Sequence, residues 1–411
     1  MLKKQLIILC YDFPVRNKTA EANLLEFQLT VFKDIFEEIH IIPTATIKAK
    51  KIIAGHQHTL AHDFRVFKIK SIINIIKNLK VLVDDFRKIQ WNNHFINTFI
   101  ESLVSYIKGI HSYSFLEYYF FKKNINLDGL IVYSFWFNDY SLGALLLKKK
   151  YPNISVISGG HGYDLFEDRH KGGRIAFREK SISLINYVYV CSKEGLNYLQ
   201  IKYPHYHQKF ILLNTGIKRK KFKIKPSTDG IFRIISLSRT HPVKRIPYLL
   251  QKLKEIENHS KFEIEYFHIG GGIEFQSLKE YLNKLDFKKF KINLTGVISD
   301  EALEIFFKST RIDAFLNVSS SEGTSLSLVE AISYSLPVIV SRVGGNISIG
   351  YSCGILLPTN FDSKELYNSF KKIYNNNDYR EKIRSNSHQY WSINHDQEKV
   401  KKEIKSLFNI G

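Results

Sequence analysis

Short apolar runs of three to six residues recur along this chain, and the segments between them are too long for hairpins and carry helical periodicity. Parallel strands need such crossovers, because a two-residue turn joins only antiparallel neighbours. In the first half, a run at Leu6–Tyr11 is followed by a helical stretch from about Ala20 to Ile35 and a second run at Ile39–Ile42. Runs follow at Gly129–Tyr133, Ile154–Ile157, Tyr187–Val190 and Phe210–Leu213, with a helix over Ser141–Lys149. Leu6-Ile7-Ile8-Leu9 is apolar on both faces of a strand, which predicts burial on both sides under flanking helices. Between Ala45 and Phe120 the pattern gives way to a long helical region dense in Lys, Phe and Ile.

Lys218–Asp229 (KRKKFKIKPSTD) is basic, polar and holds Pro226, and it reads as an inter-domain linker. The alternation then restarts, with strands at Phe232–Leu237, Ile264–Ile269, Ile292–Leu294, Ala314–Val318 and Val338–Val340. The 411 residues suit two cores rather than one. The expectation is an α/β chain of two doubly wound parallel-sheet domains facing across a cleft, with ligands outside the carboxyl ends of the strands.

Ser319–Gly345 carries the densest chemistry. A strand runs into a polar turn with Glu322 and Gly323, and a helix starts near Thr324 or Ser325. The unpaired amides of Ser325 and Leu326 at that start form an anion site suited to a diphosphate. Glu330 follows eight positions after Glu322, about two turns along the helix. Two carboxylates beside a phosphate site make sense if they accept hydrogen bonds from sugar and ribose hydroxyls. The plain alternative is that Glu330 caps or salt-bridges an exposed face.

In order along one strand–helix–strand unit stand Glu322, Glu330-Ala331, Ser335, Pro337-Val338-Ile339 and Gly344-Gly345. This stretch resembles the donor-binding signature of the GT-B fold, family 4 glycosyltransferases. It departs from that signature at Ser348, where the family usually has glutamate. The resemblance implies that Glu330 contacts the nucleotide ribose and Glu322 lies by the donor sugar. It implies a retaining transferase, acting without a metal and with no cofactor beyond a nucleotide diphosphate sugar (UDP-sugar favoured, GDP-sugar the alternative).

Arg239 and Lys244 follow the Phe232–Leu237 strand and suit a departing diphosphate, whose charge must be stabilised. The loop is similar to the family's "GR…K", with Ser238 replacing the glycine; a solvated basic loop is the alternative. Gly270-Gly271-Gly272 ends another strand, where glycine lets backbone approach a base or ribose or simply makes a turn. The family has a comparable glycine pair there, and Gly271 joins the expected donor contacts with Gly323, Thr324, Ser325 and Leu326.

In the first half, Ser158-Gly159-Gly160-His161-Gly162-Tyr163-Asp164 follows a strand. The "HGYD" resembles a family 4 subgroup in which the His reaches the donor sugar. His161 is therefore expected at the sugar, the alternative being a surface histidine with no task, and Asp164 at the loop or the acceptor. Arg16 and Glu21, in and after a first loop without the family's usual glycine pair, are further candidates; Glu21 also suits a helix amino end. The resemblance covers most of the chain apart from about 45–120. It implies an acceptor-side domain over 1–217, joined by the last helix, 396–411, and a donor domain over 218–395.

A net charge of +21 implies attraction to polyanions, such as nucleic acid, anionic lipid or phosphorylated substrates. A Lys/Asn/Ile-rich codon bias accounts for part of it. Within 47–108, Lys48-Ala49-Lys50-Lys51, Phe67-Lys68-Ile69-Lys70, Lys77-Asn78-Leu79-Lys80 and Trp91 lie among apolar residues. Such helices either lie on an anionic membrane surface or pack as a Lys-rich core. Cys10, Cys191 and Cys353 are too scattered for zinc or a disulfide framework, read as buried thiols, and suit a reducing compartment. The first residues do not read as a secretory signal, and no apolar run reaches the ~18 residues of a membrane span.

The resulting expectation is a cytoplasmic hexosyltransferase or N-acetylhexosaminyltransferase of bacterial surface polysaccharide synthesis (capsule, O-antigen or similar), peripheral on the inner membrane face if the basic middle touches lipid. Its acceptor would be a saccharide or a polyprenyl-diphosphate-linked sugar. A nucleotide-sugar epimerase or hydrolase on the same fold would turn over donor without acceptor. A basic nucleic-acid-binding protein would bind with a steep salt dependence, but it gives Glu322, Glu330, Arg239 and Lys244 no reason for their places.

Overall fold

The computed structural model of the chain describes residues 4–11, 13, 20–44, 58–60 and 68–409. It divides into two compact units, Met1–Asn214 with Lys401–Gly411, and Thr215–Val400.

The first unit is built on strands β1 (Gln5–Cys10), β2 (Glu38–Pro43), β3 (His58–Leu60), β4 (Ile131–Ser134), β5 (Ser155–Gly160), β6 (Tyr187–Val190) and β7 (Phe210–Leu212). They form one sheet in the order β3-β2-β1-β4-β5-β6-β7, every pair parallel. Its helices are α1 (Ala20–Phe32), α2 (Lys68–Lys77), α3 (Leu79–Phe86), α4 (Phe95–Lys123), α5 (Asp139–Lys150), α6 (Arg178–Leu184) and α7 (Lys193–Lys202). All six residues of β1 are buried, as a strand covered on both faces requires. Gln5, the polar one, donates to Glu38 and accepts the amide of Asn126. Ile7, Leu9, Val132, Leu145, Val156 and Val188 belong to the core between sheet and helices.

The second unit carries β8 (Ile231–Leu237), β9 (Glu263–Ile269), β10 (Lys291–Gly296), β11 (Ala314–Asn317), β12 (Val338–Ser341) and β13 (Gly354–Leu357), in the order β10-β9-β8-β11-β12-β13. These pairs too are parallel. Around them lie α8 (Ile246–Glu257), α9 (Phe275–Leu285), α10 (Asp300–Ser309), α11 (Leu326–Ser333), α12 (Asn346–Cys353), α13 (Ser363–Asn375) and α14 (Asn377–Asn394). The last helix, α15 (Gln397–Asn409), ends in the first unit. Its Phe408 is buried among Phe32, Phe36, Tyr133 and Tyr189, with ring centroids 4.7–6.3 Å apart, and Lys405 pairs with Asp34 at 2.7 Å.

Two doubly wound parallel sheets were expected and are present. Three local expectations need correction. The 218–229 segment is not a linker: Ile224 is buried in the second unit's core, Ser227 donates its amide to Asp313, and Arg384 donates to the Ile224 carbonyl. Its basic composition hides one apolar anchor. The 45–120 region is not wholly helical, since His58–Leu60 adds an edge strand beside β2. Parts of that region, like Arg16, lie outside the described residues. Strand β13 was not anticipated, because Gly354 follows α12 without an intervening turn signal.

Candidate functional site

Each sheet reverses its winding direction at one place, between β1 and β4 in the first unit and between β8 and β11 in the second. The crevice beyond the carboxyl ends at such a reversal is where open α/β sheets bind ligands. Of the sequence-predicted residues, Lys244, Glu322 and Ser325 stand at the second of these places and Glu21, His161 and Asp164 beside the first.

In the second unit the loops after β8 and β11 are stitched together. Arg245, at φ +52°, donates through Nε to the Val318 carbonyl at 2.8 Å, and the Ser320 amide donates to the Val243 carbonyl at 2.8 Å. Between them Lys244 Nζ meets Glu322 Oε1 at 2.5 Å. Both side chains are mostly buried, 19% and 9% exposed. The same carboxylate oxygen accepts the Ser319 hydroxyl at 2.7 Å and the Asn317 amide at 3.2 Å. Asn317 also donates to Ser325 Oγ, at 3.1 Å, so it ties Glu322 to the start of α11. Ser325 occupies the N-cap position, yet its side chain does not cap the helix. The first-turn amides of Leu326 and Ser327 have no acceptor within the helix.

The Gly344-Gly345 turn holds this loop from below. Gly345 donates its amide to the Gly323 carbonyl at 2.7 Å, and Gly344 sits at φ +44°, where an added Cβ would overlap the Glu322 carbonyl oxygen. Gly344→Ala is therefore expected to displace the Glu322–Gly323 loop and to cost about 1–3 kcal/mol through strain. Thermal denaturation of the variant checks this, and an unchanged melting temperature would show that the loop yields freely.

Glu330 does not join the Lys244–Glu322 pair. It meets Lys220 at 2.6 Å, with the Lys220 ammonium 4.8 Å from the centre of the Tyr334 ring. Burial opposes the charge on Lys220, but Glu330 more than offsets this and the lysine pKa is raised. Sequence reasoning missed Lys220, one of six cations within 218–225 with nothing to single it out. Arg239 is exposed and makes no hydrogen bond or ion pair among the described residues. The glycine run after β9 has a packing reason: a Cβ on Gly270 or Gly272 would overlap the carbonyls of Ser238 or Thr240, and the Gly271 carbonyl accepts the Thr240 amide at 3.0 Å.

In the first unit, Glu21 is buried beside the end of β1. It accepts the amides of Tyr11 at 2.9 Å and Phe13 at 3.2 Å, and the indole N–H of Trp136 after β4. It thus joins the two strand ends at the reversal rather than serving only the start of α1. His161, after β5, stacks on Phe135 with centroids 4.3 Å apart and meets Trp136 edge-on. Its Nδ1 is buried without a hydrogen-bond partner, 3.8 Å from Asp164 Oδ2. Asp164 accepts the amides of His161 and Gly162, each at 2.8 Å, and of Phe137 at 3.0 Å. Burial pushes this carboxyl up, but His161 beside it and the two neighbouring amides outweigh burial and hold its pKa at about 2. Asp164 thereby organises the loop that presents His161. Trp136 and Phe135 carried no motif that could have announced them.

Among the described residues no cluster of His, Cys, Asp or Glu is arranged to hold a metal ion, and no helix is long and apolar enough to cross a membrane. Cys10, Cys191 and Cys353 are buried and are not joined in disulfides.

Residues 217–390 match the family model described as "Glycosyl transferases group 1". No curated protein matches the sequence. Among solved structures, the lipopolysaccharide outer core galactosyltransferase WaaB superposes with a TM-score of 0.68 at 14% identity, covering 99% of this chain and 100% of that one. Sucrose-phosphate synthase from Thermosynechococcus elongatus gives 0.69 at 12% identity, covering 99% and 98%. Anabaena HepE in complex with UDP gives 0.65 at 13% identity, covering 99% and 100%. These likenesses establish the GT-B fold. With the domain match they support a glycosyltransferase.

Proposed function

We propose that the chain moves a hexose or N-acetylhexosamine from a nucleotide diphosphate sugar to a saccharide or lipid-linked acceptor, with retention, in bacterial surface polysaccharide synthesis. The observation that carries this reading is the Lys244–Glu322 pair beside the opening of α11 at the second sheet's reversal. In the proposed step the bond from the anomeric carbon to the diphosphate breaks and a bond from the acceptor oxygen forms on the same face. The acceptor proton passes to the departing phosphate oxygen. Lys244, Arg239 and the amides at Leu326 and Ser327 take up the negative charge that develops on that leaving group. Glu322 and Glu330 accept hydrogen bonds from sugar and ribose hydroxyls, and His161 contacts the sugar. No residue in this scheme calls for a metal.

A UDP-sugar is the favoured donor, in keeping with the complexes of HepE with UDP and UDP-glucose. The second unit, 215–400, takes the donor role, and the first the acceptor role. A peripheral position on the inner membrane face is supported by the apolar side chains of Ile73, Ile76, Trp91, Ile96, Ile100 and Ile107, all exposed on or beside α2 and α4. Lys77 and Lys80 stand nearby in sequence to meet anionic headgroups.

A panel of nucleotide sugars scored by thermal stabilisation tests the donor assignment. One or two donors at about 100 times their Kd are expected to raise the melting temperature by about 5–10 °C. Glu330→Ala is expected to abolish that rise. Equal stabilisation of both proteins would remove Glu330 from the donor site.

A further inference from the structure

A cavity of about 740 Å³ lies on the helical flank of the first unit, bordered by α3, α6 and the end of α5. None of Glu21, Trp136, His161 and Asp164 lines it, though Arg178 on its wall donates to the Asp164 carbonyl. Its wall is strongly cationic: Lys80, Arg87, Lys88, Lys149, Lys180 and Arg174 all border it.

The carboxylates on the same wall are already engaged. Asp85 holds Arg174 at 2.5 Å and the amide of Phe177 at 2.9 Å. Glu179 holds Lys88 at 2.5 Å, and Glu167 holds Lys202 at 2.8 Å. Asp84 lies 3.7 Å from Arg87. That leaves Lys80, Lys149 and Lys180 with no carboxylate at ion-pair distance among the described residues. Lys149 and Lys180 stand close enough to repel each other. Burial, first, and then Lys149 hold the Lys180 pKa below the usual lysine value. A chain gains no stability by gathering like charges around a hollow. A second feature points the same way. Arg178 borders the cavity, is 4% exposed, and has a buried Nε–H with no acceptor among the described residues.

We propose that this cavity binds a phosphate-bearing ligand, held by Lys80, Lys149 and Lys180. The volume exceeds what a single phosphate fills, so the site accommodates a diphosphate or a phosphodiester together with part of the group it carries. Three ammonium groups spread round an open hollow suit phosphate as point charges, whereas a lone carboxylate would leave two of them uncompensated. The site does not depend on the donor assignment, because it lies in the other unit and shares no residue with it.

The full chain, saturated with UDP so that a donor site in the second unit is filled, is titrated calorimetrically with inorganic pyrophosphate. In parallel it is sedimented with neutral vesicles and with vesicles containing phosphatidylglycerol. The comparison proteins are Lys149→Ala/Lys180→Ala and, as a charge-matched control, Lys279→Ala/Lys284→Ala on α9. Loss of the two cavity lysines is expected to weaken pyrophosphate binding at least about tenfold, since each removes a charge-assisted contact to phosphate. The control should bind as the parent does. If only the anionic vesicles bind, and Lys149→Ala/Lys180→Ala alone loses them, the phosphate is that of a lipid headgroup and the site stands. Binding that survives in this variant or is lost equally in the control, or a parent protein that binds neither probe, overturns the proposal. Because Lys149 is exposed and Lys180 half-buried, both proteins should melt together, which separates lost binding from lost fold.

Discussion

Lys244→Ala is expected to abolish most transfer activity and to destabilise the second unit, for two separable reasons. As the mostly buried cation at the reversal of that sheet, Lys244 would stabilise the departing diphosphate, and removing one such group costs roughly 10²–10³ in kcat. It also neutralises Glu322, which is held by Ser319 and Asn317 and is only 9% exposed. Removing one partner of a buried pair leaves the other charge uncompensated, at a cost of about 3–5 kcal/mol. For a unit of this size that corresponds to a fall of about 10 °C in melting temperature.

Neutralising both partners separates the effects. In Lys244→Met/Glu322→Gln no buried charge remains, so most of the lost stability should return. Activity should not return, because neither cation nor carboxylate is present for substrate. Measured melting temperatures and kcat for the single and double variants complete the comparison. A double variant with full activity would make the pair purely structural and remove both residues from the chemistry.

The contrast between Lys244 and Lys220 shows how much of this was legible in the sequence. The β8 strand, the loop after it and the helix from Ile246 follow from an apolar run, a polar break and renewed periodicity, and Lys244 falls at a position where phosphate chemistry is expected. Lys220 belongs to a polar basic run that local pattern assigns to a linker. Its pairing with Glu330 crosses 110 positions of sequence, and only the folded chain brings the two together. The same limit applies to the first unit. His161 was singled out because glycines flank it at a strand end, whereas the Phe135 ring under it comes from a different strand and carries no periodic signal. The glycine pair at 344–345 was legible as a motif, but its physical reason, close approach to the Glu322 carbonyl, is a tertiary fact. Periodicity reports which faces are buried; it is silent on which polar groups meet.

Asp164→Asn is expected to be the most damaging conservative change in the first unit. The native carboxylate is buried and accepts three backbone amides, from His161, Gly162 and Phe137, that span the ends of β4 and β5. An asparagine keeps one oxygen for two of those donors and turns an N–H₂ toward the third. With a buried donor left unpaired costing about 1–3 kcal/mol and a charge-assisted set also lost, the change should cost about 3–4 kcal/mol near neutral pH. The sign of its pH dependence follows from the depressed carboxyl. Folded Asp164 titrates at about 2, below the unfolded value near 3.9. Folding therefore favours the ionised form, and that contribution is complete above about pH 4 and disappears as pH falls through about 2. Asparagine does not titrate, so the stability gap between parent and variant should be widest at neutral pH and narrow only below about pH 4. Denaturant unfolding at pH 7, 4 and 2.5 measures it. A gap that stays constant across that range would mean that shape, and not the ionised carboxylate, holds the His161 loop, and His161 would then lose its positioning partner in the proposed mechanism.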